Sequence, residues 1–108
     1  MRDHIASDVL SFDFNRQGGN VANLGIKDQN GTVIRPLHAA PWINGREELP
    51  DHLAQVERQL EGDFFCAPFG GNPGLPIHGW TANGDWETAD RDNHSADGEL
   101  QTVSYRLK

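Results

Sequence analysis

The chain has 108 residues, 36% of them hydrophobic, and its nine basic and sixteen acidic residues give a net charge of −7. This length predicts one domain over residues 1–108 with a modest core. The negative charge argues against nucleic acid and membrane surfaces as partners, because both are bound through basic patches. A single cysteine excludes an internal disulfide.

The first half of the chain has the period-two pattern of half-buried strands. Apolar side chains alternate with polar ones over residues 8–14 and again over residues 22–26. A glycine-containing turn over residues 16–20 joins these two strands. The sequence therefore predicts an antiparallel pair.

A second hairpin is predicted at Asn30-Gly31, because this dipeptide adopts positive φ at low cost. The returning strand is predicted over residues 32–37, which are rich in β-branched side chains. Pro36 places the end of that strand, or a sheet edge, near its own position. Two consecutive hairpins indicate an antiparallel meander.

One short helix is predicted after residues 49–51. Its apolar positions, Leu53, Val56 and Leu60, recur at spacings of three and four residues, and Gly62 is the expected stop signal. No other segment of the chain shows a comparable helical spacing.

The C-terminal part divides into a polar segment and a last strand. Residues 88–98 are interpreted as polar and turn-rich. Residues 100–107 alternate again and predict a strand whose inward face carries Val103, Tyr105 and Leu107. A sheet that ends there leaves an open edge, through which self-association is expected.

The middle of the chain concentrates glycines, prolines and aromatics around one histidine. Two segments, residues 62–70 and 76–87, carry this composition, and no Lys or Arg occurs from residue 59 to residue 90. Glycine allows a close backbone approach, aromatic faces suit the C–H faces of a sugar, and histidine transfers protons near neutral pH. These segments therefore predict a wall of a small-molecule pocket.

The same segments resemble a known family. The run FFCAPFG at residues 64–70 followed by PIHGWTANGDW at residues 76–86 is similar to the aldose 1-epimerase (galactose mutarotase-like) family. The His-Gly pair of that family matches His78-Gly79, and residues 33–42 resemble its early strands. The resemblance implies the N-terminal part of a galactose mutarotase-like β-sandwich, a mainly β fold of antiparallel strands with one short helix.

The resemblance also implies a reaction. Mutarotation interconverts the α and β anomers of an aldose and needs a base for the anomeric hydroxyl and an acid for the ring oxygen. His78 matches one of the histidines on the acid side; the alternative is a loop histidine bonded to a backbone carbonyl. The family's glutamate base and second histidine lie beyond Lys108. Asp85 and Glu87 are nearby carboxylates that could substitute for the base, with solvated loop side chains as the alternative. This chain is therefore expected to be a weak or inactive isomerase.

The substrate-binding residues expected from the same segments are Phe69, Trp80, Asn83 and Trp86. The two tryptophans would stack on a pyranose face and the Asn83 amide would bond hydroxyl groups, with core packing as the alternative for each tryptophan. Relatives that act on hexose 6-phosphates have HGFAR where this chain has Ala82 at the arginine position. A free hexose such as glucose or galactose is therefore the expected partner.

No metal or cofactor is expected. The five histidines match no metal-ligand spacing, and the glycine-rich loop at residues 70–74 lacks the Gly-Lys-Ser/Thr of a phosphate loop. The N-terminus lacks the apolar run of a signal peptide, and a cytoplasmic location is expected. Two alternatives to an enzyme stay open: a non-catalytic carbohydrate-binding module, and a structural β-fragment that pairs through its open edge.

Overall fold

The computed structural model describes residues 1–45, 47–92 and 102–108, and of Asp92 only the backbone. Within these ranges the strands are β1 (Arg2–Ala6), β2 (Leu10–Asn15), β3 (Asn20–Lys27), β4 (Val33–Ile34), β5 (Trp86–Asp92) and β6 (Thr102–Leu107), and the helices are α1 (Gln55–Arg58) and α2 (Gly79–Asn83). The fold is mainly β with antiparallel sheets, as the sequence predicts, but the described residues form two short helices where one is expected. Both helices of the described ranges are too short to cross a membrane.

The first sheet is the predicted meander, in the order β1-β2-β3-β4. Its register pairs Ile5 with Phe12, and Leu10 with Ile26. The alternation over residues 8–14 thus gives the predicted strand, and β1 is a further strand that the sequence pattern does not predict. In the described part of the chain β1 and β4 each pair on one side only, so the expected self-association through a sheet edge stays a prediction.

The predicted turn at Asn30-Gly31 is confirmed. The Asp28 carboxylate accepts hydrogen bonds from the backbone N–H groups of Asn30 (2.8 Å) and Thr32 (2.9 Å), and Gly31 has φ +81°. The returning strand β4 has two residues instead of the six predicted. Pro36 explains the early end, because proline has no N–H to donate to a ladder.

The second sheet is the hairpin of β5 and β6, paired antiparallel from Trp86↔Leu107 to Asp92↔Thr102. The predicted inward face of β6 is confirmed, since Val103, Tyr105 and Leu107 are half-buried between exposed neighbours. Strand β5 falls on a segment interpreted as turn-rich, because pairing with β6 outweighs the weak strand propensity of its polar residues. Residues 93–101 lie outside the described part.

The Tyr105 side chain fixes this hairpin against the first sheet. Its ring stacks on Phe14 with centroids 3.8 Å apart, and its hydroxyl donates to the Asp3 carboxylate (2.8 Å). Asp3 also accepts two hydrogen bonds from the Arg16 guanidinium, at 2.9 and 3.0 Å. The hydrogen bond from Arg16 lowers the pKa of Asp3; burial opposes this shift and the hydrogen bond from Tyr105 adds to it. Burial and the contact with Asp3 raise the pKa of Tyr105 to about 12.

The predicted helix is much shorter in the structure. Helix α1 covers four residues, with Val56 buried and the expected apolar position Leu60 39% exposed. Two carbonyls before the helix, those of Pro50 (2.7 Å) and Leu53 (3.2 Å), accept from the Arg58 guanidinium. The side chain satisfies carbonyls that a longer helix would bond through its backbone, and of the three expected apolar positions only Val56 is buried.

The interior is small and unusually polar. In the described ranges the buried apolar residues are Ala22, Ala40, Val56 and Ala82, and the buried polar ones are Asn15, Asn20 and Glu61. The Asn15 amide donates to Gln59 Oε1 (2.7 Å), the Asn20 amide donates to the Glu61 carbonyl (3.1 Å), and the Glu61 carboxylate pairs with Arg2. Directed hydrogen bonds therefore connect the sheet to the segment after α1, where large apolar side chains would usually pack.

Gly62 is expected to be far more sensitive to substitution than a glycine in an open turn. It has φ +69°, and a Cβ there would overlap the carbonyl oxygen of Val21. We expect Gly62→Ala to lower the free energy of unfolding by at least about 3 kcal/mol, measured by urea denaturation.

The matched control is Gly31→Ala, where φ is also positive but no atom lies within 4 Å of a Cβ. It should cost about 1 kcal/mol, the conformational penalty alone. Equal costs at the two positions would show that the contact with Val21 is unimportant.

The Tyr105 hydroxyl should make stability sensitive to alkaline pH. Because the pKa is about 12 in the folded chain and 10.0 for an unperturbed tyrosine, its contribution is present below pH 10 and is lost as the pH rises towards 12. Tyr105→Phe removes a hydrogen bond to a carboxylate and should cost about 1.5 kcal/mol at pH 7. Urea titrations from pH 7 to 12 should show a shallower alkaline loss in the variant, and identical slopes would contradict this assignment.

Candidate functional site

The two segments predicted to form a pocket wall do lie side by side. A parallel bridge pairs Ala67 with Gly79, and the Ala67 N–H donates to the His78 carbonyl (3.3 Å). The Thr81 hydroxyl donates to the Phe65 carbonyl at 2.7 Å, farther along the same junction. Backbone pairing therefore brings residues 64–70 next to residues 78–81. The sequence alone does not establish that these two segments are neighbours.

The glycine of the His-Gly pair is required for steric reasons. Gly79 is buried, has φ +80°, and a Cβ there would overlap the carbonyl of Ala67. Only glycine allows the two segments to approach this closely. His78 precedes it at φ +65°, ψ 10°, and forms the N-cap of α2 without a side-chain capping bond. Its backbone N–H donates to the Gly70 carbonyl (2.9 Å), which leaves the imidazole to be placed by other contacts.

The His78 ring is oriented by one hydrogen bond and two aromatic neighbours. Its Nδ1 accepts from the Gly70 N–H at 3.2 Å. The ring centroid lies 5.3 Å from that of Phe69 and 5.8 Å from that of Phe64. Since Nδ1 accepts, the neutral ring carries its hydrogen on Nε2. The arrangement presents one N–H donor beside aromatic rings.

Three aromatic side chains of these segments are exposed. Phe69 is 80% exposed, Phe65 is 65% exposed and Trp80 is 59% exposed. The sequence predicts Phe69 and Trp80 as contact residues but not Phe65. Phe64 and Phe65 are adjacent and do not alternate with polar residues, so the sequence pattern does not show which of the two rings faces solvent. The structure adds Phe65 as a candidate contact residue.

Asn83 has structural work in this region. Its Nδ2 donates to the carbonyls of Ile77 (2.7 Å) and Gly79 (2.8 Å), and its Oδ1 accepts from the Val56 N–H (3.1 Å). The amide thus joins α2 to the loop before it and to α1. A sugar hydroxyl would have to replace one of these bonds, so the predicted binding role of Asn83 has a competing structural role.

Trp86 also makes internal contacts. Its indole N–H donates to the Thr81 carbonyl (2.9 Å), its ring meets Phe14 edge-on at a centroid distance of 6.3 Å, and a Cβ on Gly19 would overlap it. The residue is half-buried. These contacts fit the core-packing alternative for Trp86, and its role in sugar binding stays a prediction.

The described residues place no carboxylate in a hydrogen bond or ion pair with the His78 ring. The Glu87 carboxylate accepts from the Arg106 guanidinium at 2.6 Å, and this contact lowers the pKa of Glu87. Asp85 is exposed, and its backbone carbonyl accepts from the Lys108 N–H (2.9 Å). The site therefore has a candidate proton donor, and neither nearby acid is positioned against it as a base.

Comparison of the chain with protein families, with curated protein sequences and with solved structures gave no match in any of the three. What can be inferred about function therefore rests on the residues and on the geometry described above. The exposed rings of these segments are Phe69, which lies beside His78, and Phe65 and Trp80.

Asn83 offers a test of its structural role. We expect Asn83→Ala to lower the free energy of unfolding by about 2 kcal/mol, because it leaves partly buried backbone groups without partners. The matched control is Asn44→Ala, since Asn44 is exposed and the described contacts include no side-chain hydrogen bond for it. Urea denaturation of the two variants should separate them, and equal stabilities would argue that the Asn83 bonds contribute little.

Proposed function

We propose that this chain binds a free, neutral hexose on the surface formed by Phe69, His78 and Trp80. The observation that carries the proposal is a histidine whose Nδ1 accepts from the Gly70 N–H and whose ring lies 5.3 Å from the exposed Phe69 ring, with the exposed Trp80 two residues farther along the chain. Aromatic faces take up the C–H face of a pyranose, and the imidazole donates to a hydroxyl or to the ring oxygen. This arrangement supports carbohydrate binding better than it supports an isomerase or a structural β-fragment.

A neutral sugar is preferred over a phosphorylated one because of the charge. No Lys or Arg occurs between residues 59 and 90, and the chain has a net charge of −7. A phosphate group bound here would face no cation from these segments. Ala82, at the position where phosphate-binding relatives carry arginine, is buried and offers no donor side chain.

Mutarotation is the second candidate, and the resemblance to aldose 1-epimerases and the tautomer of His78 favour it. In this reaction a base takes the proton of the anomeric hydroxyl as the C1–O bond of the ring breaks, and water supplies the proton that the ring oxygen gains. The neutral His78 ring, whose Nδ1 accepts from Gly70, stabilises the charge on the ring oxygen by a hydrogen bond from Nε2–H. The described residues position no such base at His78, so the proposed activity is weak. The proposal includes the finer fold assignment, in which the two sheets are part of a galactose mutarotase-like sandwich.

The binding proposal is tested by isothermal titration calorimetry and by NMR with D-galactose and D-glucose. We expect Trp80→Ala to weaken hexose binding about tenfold, the effect of losing one stacking contact. His78→Asn should weaken it as well, and asparagine is chosen because it tolerates the left-handed backbone at this position. His38→Asn, at an exposed histidine, is the matched control and should bind normally.

Polarimetry of freshly dissolved α-D-glucose tests the catalytic candidate. A small acceleration over the uncatalysed rate that disappears in His78→Asn would support weak mutarotase activity. Binding without acceleration would leave a carbohydrate-binding module. The binding proposal fails if the folded chain binds neither hexose, or if Trp80→Ala and His78→Asn bind them as well as the parent chain does.

A further inference from the structure

One face of the four-stranded sheet carries a cleft that is separate in sequence from the His78 segments. The register pairs Ala6 with Ser11, Ser11 with Gly25, and Lys27 with Val33. Because directly paired residues point to the same side of a sheet, these residues share one face. The cleft has a volume of about 200 Å³ and also includes the turn between β1 and β2 and the side chain of Arg35.

The floor of the cleft is Gly25. A Cβ at this position would lie 3.1 Å from Ser11 Oγ, 3.1 Å from Val33 Cγ1 and 3.3 Å from Arg35 Nη1. A hydroxyl, a methyl group and a guanidinium thus converge on a position where the chain has no side chain. Glycine is not needed here for backbone conformation, since its φ is not positive. The absence of a side chain therefore lets Ser11, Val33 and Arg35 pack closely over the buried Gly25 at the base of the cleft.

The Arg35 side chain is held in place over this floor. Its Nη1 donates to the Asn23 carbonyl at 2.9 Å, and one nitrogen so fixed orients the planar guanidinium. Asn23 has φ +53°, and its amide donates to the Asp13 carboxylate at 2.7 Å. The ladder of β2 and β3 shifts register between Ser11 and Asp13, an irregularity of the kind that re-aims side chains near binding sites.

The charges of the cleft are Lys27, Arg35 and Asp8. Among the described residues neither Lys27 nor Arg35 forms a salt bridge, whereas Arg2, Arg16 and Arg106 each pair with a carboxylate. Asp8 lies in the turn beside Val9, whose carbonyl accepts from the Lys27 N–H (2.8 Å), so its negative charge is at the Lys27 end of the cleft. Arg35, over Gly25, is therefore the anion-attracting part.

We propose that this cleft binds a small organic anion, a carboxylate on a short hydrocarbon body. The carboxylate lies against Arg35 with the Ser11 hydroxyl as a further donor and Lys27 as the second cation of the cleft, and the hydrocarbon part packs against Val9 and Val33. The guanidinium fork matches a carboxylate in shape. A volume of about 200 Å³ is below the range of about 300–1,000 Å³ usual for drug-sized ligands, which selects a small acid. This proposal does not depend on sugar binding at His78.

The test is an NMR titration of the full chain with three probes: benzoate, its neutral isostere benzamide, and inorganic phosphate. Benzoate should saturate and shift the amide signals of Ser11, Gly25 and Arg35, with benzamide at least about tenfold weaker. Two variants separate the contribution of charge from the contribution of the shape of the cleft. Arg35→Gln removes one cation, and Gly25→Ala displaces the side chains of Ser11, Val33 and Arg35 without altering charge or requiring positive φ.

We expect each variant to weaken benzoate binding by at least about tenfold. Arg106→Gln, which removes one positive charge elsewhere, is the matched control and should bind normally. Circular dichroism must show that the variants are folded, and Ser11→Ala replaces Gly25→Ala if that variant is not. The proposal is overturned if benzoate does not saturate, if phosphate binds as tightly and is insensitive to Gly25→Ala, or if Arg106→Gln has the same effect as Arg35→Gln.

Discussion

The rest of the structure depends on the close approach between strand β3 and the segment around Gly62. Val21 and Asp63 exchange backbone hydrogen bonds of 2.8 and 2.9 Å, and the Gly62 N–H donates to the His38 carbonyl at 2.8 Å. This contact is possible because residue 62 has no Cβ to meet the Val21 carbonyl. It fixes the point from which residues 64–70 start, and so determines where the Phe69 and His78 rings meet.

A second close approach of two backbone segments occurs at Gly79, where the absence of a side chain again makes the contact possible. There the chain again passes within backbone contact of a neighbouring segment, at Ala67. In both places glycine replaces packing by side chains with packing by backbone, whose polar groups then pair. This explains how a chain with few large buried residues can hold a defined site: its geometry comes from backbone contacts and amide side chains such as Asn15 and Asn83.

The sequence predicts the parts of the fold that local pattern determines. The alternation over residues 8–14 and the Asn30-Gly31 turn give the meander, because a strand face and a positive φ are local properties. Helix α1 is overpredicted, since Arg58 takes up carbonyls that no periodicity argument includes. Strand β5 is missed because its pairing with β6 is non-local.

The candidate site is predictable to a similar extent, since the His-Gly motif identifies segments that the structure brings together. Whether an aromatic faces solvent, as Phe65 does, or packs inside, as Trp86 does, depends on neighbours far away in sequence. The cleft over Gly25 gives no sequence signal of its own, because its cations meet only through strand register.

The polar interior has a consequence for the temperature dependence of stability. The heat capacity change of unfolding grows with newly exposed apolar area and falls with newly exposed polar area. The described part of the chain buries four apolar residues, three of them alanine, beside Asn15, Asn20 and Glu61. Its heat capacity change should therefore be small for its length. The curve of free energy against temperature is then broad and shallow, and cooling weakens this fold less than it weakens one built on a large apolar core.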